Sequence, residues 1–188
     1  KATEEFYKNP ENRNKIADIK KRKGTEMASL SSASFELRAQ IEATLAEYMH
    51  TLASDRLEDW PNHFTPNGTY RVTTRENYDQ NLPLCLMICE GHGMMHDRII
   101  ALRTANIFEP HVYCHIPGAM RITEETATSI RSESTFVVMR TMSDGTTSTF
   151  ACGRTFDHFV KQNGELKIAE RLVVLDSRQI DTLLVIPL

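Results

Sequence analysis

The stretch His92-Gly93-Met94-Met95-His96-Asp97 is the first place to look for metal chemistry. Two histidines four residues apart can share one face of a helix. A carboxylate beside them would complete the two-histidine, one-carboxylate set that holds non-haem iron. The local geometry works against this. Gly91 and Gly93 put His92 at or before the helix start, and Asp97 points about 100° away from His96 on a regular helix. Hydrogen bonding at a helix terminus accounts for the same residues. Cys89 and His92 have Cys-x-x-His spacing, half of what a mixed Cys/His iron–sulfur centre requires, but no Cys-x-His pair precedes them. Cys114 and His115 are adjacent and on a strand would face opposite ways. The ligand pattern is incomplete.

A second constellation concerns proton transfer. Tyr48, Asp55, Tyr70, His96 and His115 are types that abstract or donate protons when gathered in an apolar pocket. Nothing in their spacing forces them together, and lone Tyr and His residues on strands serve equally as core or interface groups. No Gly-rich phosphate loop, nucleophile elbow or dinucleotide fingerprint is present. Accordingly no catalytic, cofactor-binding or metal-binding residue is assigned from the sequence.

The elements that would position these residues fall into two halves. Leu37, Ile41, Leu45, Tyr48 and Leu52 recur at spacings of three and four, which predicts one face of a helix with Ser34 as a candidate N-cap. A short helix or turn over Asp55–Trp60 is expected to stop at Pro61, with Trp60 and Phe64 covering one end of a core. Pro66-Asn67-Gly68 reads as a turn, Thr69–Thr73 as a short strand, and the polar stretch from Arg75 to Pro83 as a loop. Leu84–Cys89 is strand or helix edge. Met94–Ala105 has helical spacing, with Met95, Ile99 and Leu102 on one side and Arg98 and Arg103 available to solvent.

From His111 the period changes to two. Val112, Cys114 and Ile116 share one face and His111, Tyr113 and His115 the other, until Pro117-Gly118 bends or breaks the run. Asp144-Gly145 and Asn163-Gly164 are hairpin turns, where glycine accepts the positive φ that tight hairpins need. They join strands over Thr128–Met142, Thr146–Val160 and Glu165–Leu175, the last placing Leu166, Ile168, Leu172 and Val174 on one face. Helices first and a long antiparallel meander last define an α+β fold rather than α/β. Such a sheet, curled around a helix, makes a cone with an interior pocket.

Composition narrows the function classes. A chain of 188 residues with 40% hydrophobic and 25% charged residues suits one globular domain. Its formal net charge of −3 gives no excess of Lys and Arg for nucleic acid. Four cysteines, Cys85, Cys89, Cys114 and Cys152, are too few and too irregular for a secreted disulfide framework. No apolar run approaches the roughly 20 residues that span a bilayer. A soluble, cytoplasmic domain is expected. Residues 1–26 are charged and carry Lys20-Lys21-Arg22-Lys23, so they read as an extension. It is a leader, an expression-derived segment or an arm that contacts a partner. The domain proper is expected over 27–188.

Several stretches together resemble one family. Asp97-Arg98-Ile99, Ala101-Leu102-Arg103 and Ala105-Asn106-Ile107-Phe108-Glu109, followed by His111, Tyr113 and His115, are similar to the central signature of the small subunits of ring-hydroxylating dioxygenases. Trp60-Pro61 through Phe64, Tyr70-Arg71-Val72 and Glu76-Asn77 match the start of that domain. Glu170-Arg171, Asp176-Ser177, Asp181-Thr182-Leu183-Leu184 and Pro187-Leu188 resemble the end of the terephthalate, salicylate and anthranilate members. The resemblance covers about residues 35 to 188.

It implies a nuclear-transport-factor-like cone, N-terminal helices packed on a curved, mainly antiparallel sheet, and a mainly structural role. It also implies a catalytic large (alpha) subunit carrying a Rieske 2Fe–2S cluster and mononuclear non-haem iron, with no cofactor in this chain. Three small subunits would form a ring beneath three large ones, an α3β3 assembly. An NADH-dependent reductase would supply electrons through the large subunit. Arg98, Arg103, Tyr113 and His115 are then candidate interface groups, or stabilise the monomer instead. Two other readings compete: a stand-alone cone-fold isomerase or dehydratase for a small apolar ligand, and a self-contained iron protein using His92, His96 and Asp97.

Overall fold

The spacing of Ile41, Leu45, Tyr48 and Leu52 becomes the buried face of helix α1 (Ser32–Ala53) in a computed structural model that describes residues 32–177 and 184–188. The chain divides into two compact units, 1–39 and 40–188. Of the first, the described part is the opening of α1. The expected extension over 1–26 and the start at Met27 lie outside the described residues.

After α1, Asp55 takes a left-handed φ of 56° and the chain enters a 3-10 helix, Leu57–His63. Pro61 sits inside this helix rather than ending it. The fixed φ of proline, near −65°, falls within the 3-10 range, so only its missing N–H is lost. Strand β1 (Phe64–Thr74) absorbs the expected Pro66-Asn67-Gly68 turn as an irregularity between Phe64 and Thr69. Gly68 is needed there. A Cβ would stand 3.0 Å from the Ile168 carbonyl oxygen and from the Phe64 Cβ.

The expected loop after Thr74 begins instead with a short helix α2 (Arg75–Asp79), capped where the Asn77 N–H donates to Thr74 Oγ1 at 3.3 Å. Strand β2 (Met87–Glu90) and helix α3 (Gly91–Thr104) follow, and α3 buries Met95, Ile99 and Leu102 as its spacing predicts. The remaining strands are β3 (His111–Glu125), β4 (Ser129–Met142), β5 (Thr147–Gln162) and β6 (Glu165–Leu175). Pro117-Gly118 bends β3 without breaking it, leaving a register shift before Met120. Gly145 (φ 86°) and the pair Asn163 (φ 53°), Gly164 (φ 85°) make the two hairpin turns.

The sheet order is β2-β1-β6-β5-β4-β3. Strands β3 to β6 form the antiparallel meander, while β1 joins β6 in parallel and β2 antiparallel. The class is α+β, as expected. One face of the sheet carries the core: Tyr70, Val72, Ile130, Val138, Phe159, Ile168 and Val173 are all buried. Among the described residues, no helix is long and apolar enough to cross a membrane.

Candidate functional site in the cone interior

A bulge decides which side chains line the interior. Counting back from the Asn163-Gly164 turn, Gln162 faces Glu165 and Phe159 faces Ile168, but His158 faces Glu170. The extra residue, Ala169, changes the phase of β6. Leu166 and Ile168 point inward as predicted, and beyond the bulge Arg171, Val173 and Leu175 take the interior side in place of the expected Leu172 and Val174, of which Val174 is buried on the other face. A one-residue slip exchanges the two faces of a strand. This brings Arg171 into the core beside Tyr70 on β1 and Asp157 on β5.

Arg171 and Asp157 form a buried ion pair, Nη1 to Oδ1 at 2.8 Å, with side chains 8% and 0% exposed. Burial pushes the Asp157 carboxyl up, and the Arg171 guanidinium and the Thr155 hydroxyl, donating at 3.2 Å, oppose that shift. Thr155 is itself hydrogen-bonded to Ser134 at 2.7 Å. The guanidinium carbon of Arg171 lies 4.5 Å from the centre of the Tyr48 ring, a cation–π contact in a desolvated setting. The chain of contacts runs from β4 through β5 and β6 to α1.

Tyr48 and Tyr70 are fully buried and end on the same backbone unit. The Tyr48 hydroxyl donates to the Leu188 carbonyl at 2.9 Å and accepts from Trp60 Nε1 at 3.2 Å. The Tyr70 hydroxyl accepts the Leu188 N–H at 2.8 Å and donates to its carbonyl at 3.4 Å. Burial raises the Tyr48 phenol to about 12 and lifts that of Tyr70 well above its ordinary value. Both remain neutral donors. Trp60 stacks edge-on against Tyr70 (5.1 Å) and Phe64 (5.6 Å), so the expected cap over one end of the core is an aromatic cluster. Arg98 on α3 donates to the Leu184 carbonyl.

The candidates from sequence separate. Tyr48, Tyr70 and His115 face the interior, whereas His96 is exposed and Asp55 is bound at the surface by Arg103. His115 is mostly buried, which with the nearby Arg171 charge lowers its imidazole to about 4. The rings of His92 and His96 are 6.4 Å apart and perpendicular, and His92 Nε2 donates to the Phe64 carbonyl at 3.1 Å. Among the described residues, no three His, Cys, Asp or Glu side chains are grouped as a metal site would need. Burial raises the Cys89 thiol, and Cys114 lies exposed on the side of β3 opposite His115.

The expected solvent exposure holds for Arg103 and is corrected for Arg98, which is half-buried. Arg98 turns in toward Leu184. Arg103 clamps the chain after α1, meeting Asp55 Oδ1 and Oδ2 at 2.9 Å, the Asp55 carbonyl at 2.9 Å and Glu58 at 2.9 and 3.1 Å. Tyr113 is buried and stacks on Phe150 at 4.8 Å. The four residues weighed as interface groups therefore make intramolecular contacts, and the exposed residues on β3 include Val112, Cys114 and Ile116. Sequence reasoning missed Asp157 and Arg171. The usable signal was an acidic residue in phase with Ala151, Thr155 and Phe159 on a core-facing strand.

The fold and interior define a class. A family model described as a SnoaL-like domain matches residues 33–172. Within that class the chain belongs to the small-subunit family of aromatic-ring-hydroxylating dioxygenases, on the following likenesses. It is 41% identical over 149 residues to the beta 2 subunit of the terminal oxygenase component of terephthalate 1,2-dioxygenase from a Comamonas species, covering 79% of this chain and 97% of that one. Against the small subunit of anthranilate 1,2-dioxygenase from Burkholderia cepacia the identity is 35% over 141 residues, covering 75% and 88%. The crystal structure of a beta subunit assigned to an aromatic-ring-hydroxylating dioxygenase of Novosphingobium aromaticivorans superposes with a TM-score of 0.77 at 34% identity, covering 84% of this chain and all of that one.

Proposed function

We propose that the chain is the mainly structural small subunit of the terminal oxygenase of an aromatic-ring-hydroxylating dioxygenase, and that it supports assembly of a catalytic large subunit. The Rieske cluster and the mononuclear iron belong to that partner in this reading, with electrons arriving from NADH through a reductase. Three copies would form the base of an α3β3 complex in the cytoplasm, because closed cyclic symmetry fixes all large-subunit interfaces at once. The substrate class is an aromatic carboxylate, as in the names of the terephthalate and anthranilate relatives.

The observation that carries the non-catalytic part is the closure of the interior. Asp157 is paired with Arg171, and the hydroxyls of Tyr48 and Tyr70 are engaged by Leu188. Three of the groups that would move protons in a working cone pocket, Tyr48, Tyr70 and Asp157, already have intramolecular partners, and only the His115 ring is left without a hydrogen bond among the described residues. The test is native mass spectrometry of the tagged chain purified from its source cells, with iron measured on the same sample. The expected result is an assembly with equal copies of this chain and a larger, iron-bearing partner. A lone iron-free homo-oligomer would overturn the reading.

A further inference from the structure

Strands β2 and β3 stand at the two ends of the sheet, and each carries exposed apolar side chains. Beside β2, Leu82, Leu84, Leu86 and Ile88 are turned out, with Leu84 the most exposed at 59%. Leu82, Leu84 and Ile88 line a groove of about 410 Å³ whose other walls include Arg71, Tyr78 and Leu172. The backbone fixes this exposure. The Leu84 carbonyl accepts from Thr73 Oγ1 at 2.7 Å and from Asn77 Nδ2 at 3.4 Å. The Leu82 N–H donates to the Asn77 carbonyl at 2.8 Å, and the Leu86 N–H to the Val72 carbonyl at 2.7 Å. A surface ordered in advance loses little entropy on binding, and a run of exposed leucines marks a contact face.

The other end of the sheet has the opposite shape. Val112, Cys114 and Ile116 form a ridge along one side of an extended strand. In a ring of identical copies each chain meets its two neighbours through two different surfaces, which must fit each other. A groove set against its own copy leaves its volume empty, whereas a ridge fills it. Bringing the two together strands no charge, because Arg71 is held by Glu90 at 3.3 Å and Glu133 holds both Arg121 and Arg154. We infer that the groove beside β2 receives the β3 edge of a second copy of this chain, with Val112 and Ile116 packing on Leu84 and Ile88. The inference rests on the trimeric base proposed above and names the two surfaces that close it.

The chain carries its own probes for the test. Cys85 is an exposed thiol in the groove wall, and Cys114 is an exposed thiol on the ridge. The oligomer purified from source cells is treated with bismaleimidoethane, a short thiol cross-linker. Linked chains are separated on a denaturing gel, and linked peptides are identified by mass spectrometry. The expected result is a Cys85–Cys114 link between copies, with linked species ending at the trimer. Cys85→Ser and Cys114→Ser should each abolish the link. Cys85–Cys85 or Cys114–Cys114 links, links from either thiol to a larger chain, or no link between copies overturn the inference. The composition of the same sample keeps the two readings apart. Equal copies of small and large chains without the Cys85–Cys114 link overturn the inference and leave the subunit reading standing. The link in a lone homo-oligomer supports the inference and overturns the subunit reading.

Discussion

At the scale of single residues, the buried pair Arg171–Asp157 dominates. Removing one partner strands the other charge, so Arg171→Met should destabilise the fold by about 3–5 kcal/mol, read as a shift in the urea midpoint at pH 7. Without Arg171 the Asp157 carboxyl rises further above its unfolded value. Stability that depends on its proton is present at low pH and lost as pH rises, so the variant should be less impaired at pH 4 than at pH 7. The double change Arg171→Met/Asp157→Leu should recover most of the loss, because an apolar pair of similar volume replaces two desolvated charges. His115 works in the opposite sense. Its imidazole is lowered from 6.5 to about 4 by burial and then by Arg171, so the folded state resists protonation. Its contribution is complete above pH 6.5 and declines as pH falls toward 4, at about 1.4 kcal/mol per pH unit. The difference between the unaltered chain and His115→Gln, measured across that window, should show this slope; parallel curves would exclude it.

At the scale of elements, Arg103 ties the last turn of α3 to Asp55 and Glu58 by a forked set of bonds. The carboxylates are exposed and screened, so Arg103→Ala is expected to cost about 1 kcal/mol, and Arg103→Lys should recover little because an ammonium lacks the fork. Thermal unfolding in low and moderate salt would check both. This scale also shows what could be read in advance. The meander was legible because Asp144-Gly145 and Asn163-Gly164 are strong turn signals between alternating runs, and α1 and α3 because their apolar residues keep a helical period. The interior was legible only in part. Tyr48, Tyr70 and His115 were visible as types, but Arg171 was hidden by the bulge at Ala169, which no residue type announces, and its strand was assigned the wrong face beyond that point. The engagement of Tyr48 and Tyr70 by Leu188 was equally hidden, since a contact across more than a hundred residues leaves no local pattern.

At the scale of the whole molecule, the proposed assembly needs a surface, and β3 supplies a candidate. It is an edge strand whose outer side presents Val112 at 61% and Ile116 at 48% exposure, beside Cys114. Nearby charge on that side is tied within the chain, where Glu133 meets Arg121 at 2.5 Å and Arg154 at 3.3 Å. An exposed apolar set on a long edge strand, unpaired on its outer side among the described residues, suits an association surface. Ile116→Glu should therefore lower the yield of assembled complex on co-expression with the large subunit, while the Tm of the isolated chain moves by no more than a degree or two. Unchanged assembly would place the interface elsewhere.

The parallel pairing of β1 with β6 bears on the birth of the molecule. Residues 69–74 find their neighbours at 170–175, so these two inner strands pair only after everything from β2 to β5 has been made. Closing so large a loop is slow relative to forming hairpins. During synthesis Trp60, Phe64 and Tyr70 would wait on the ribosome without their cover, a sticky intermediate of the kind that chaperones hold. Slower translation through β1 would bring no benefit, whereas fast completion of β5 and β6 would shorten the exposure.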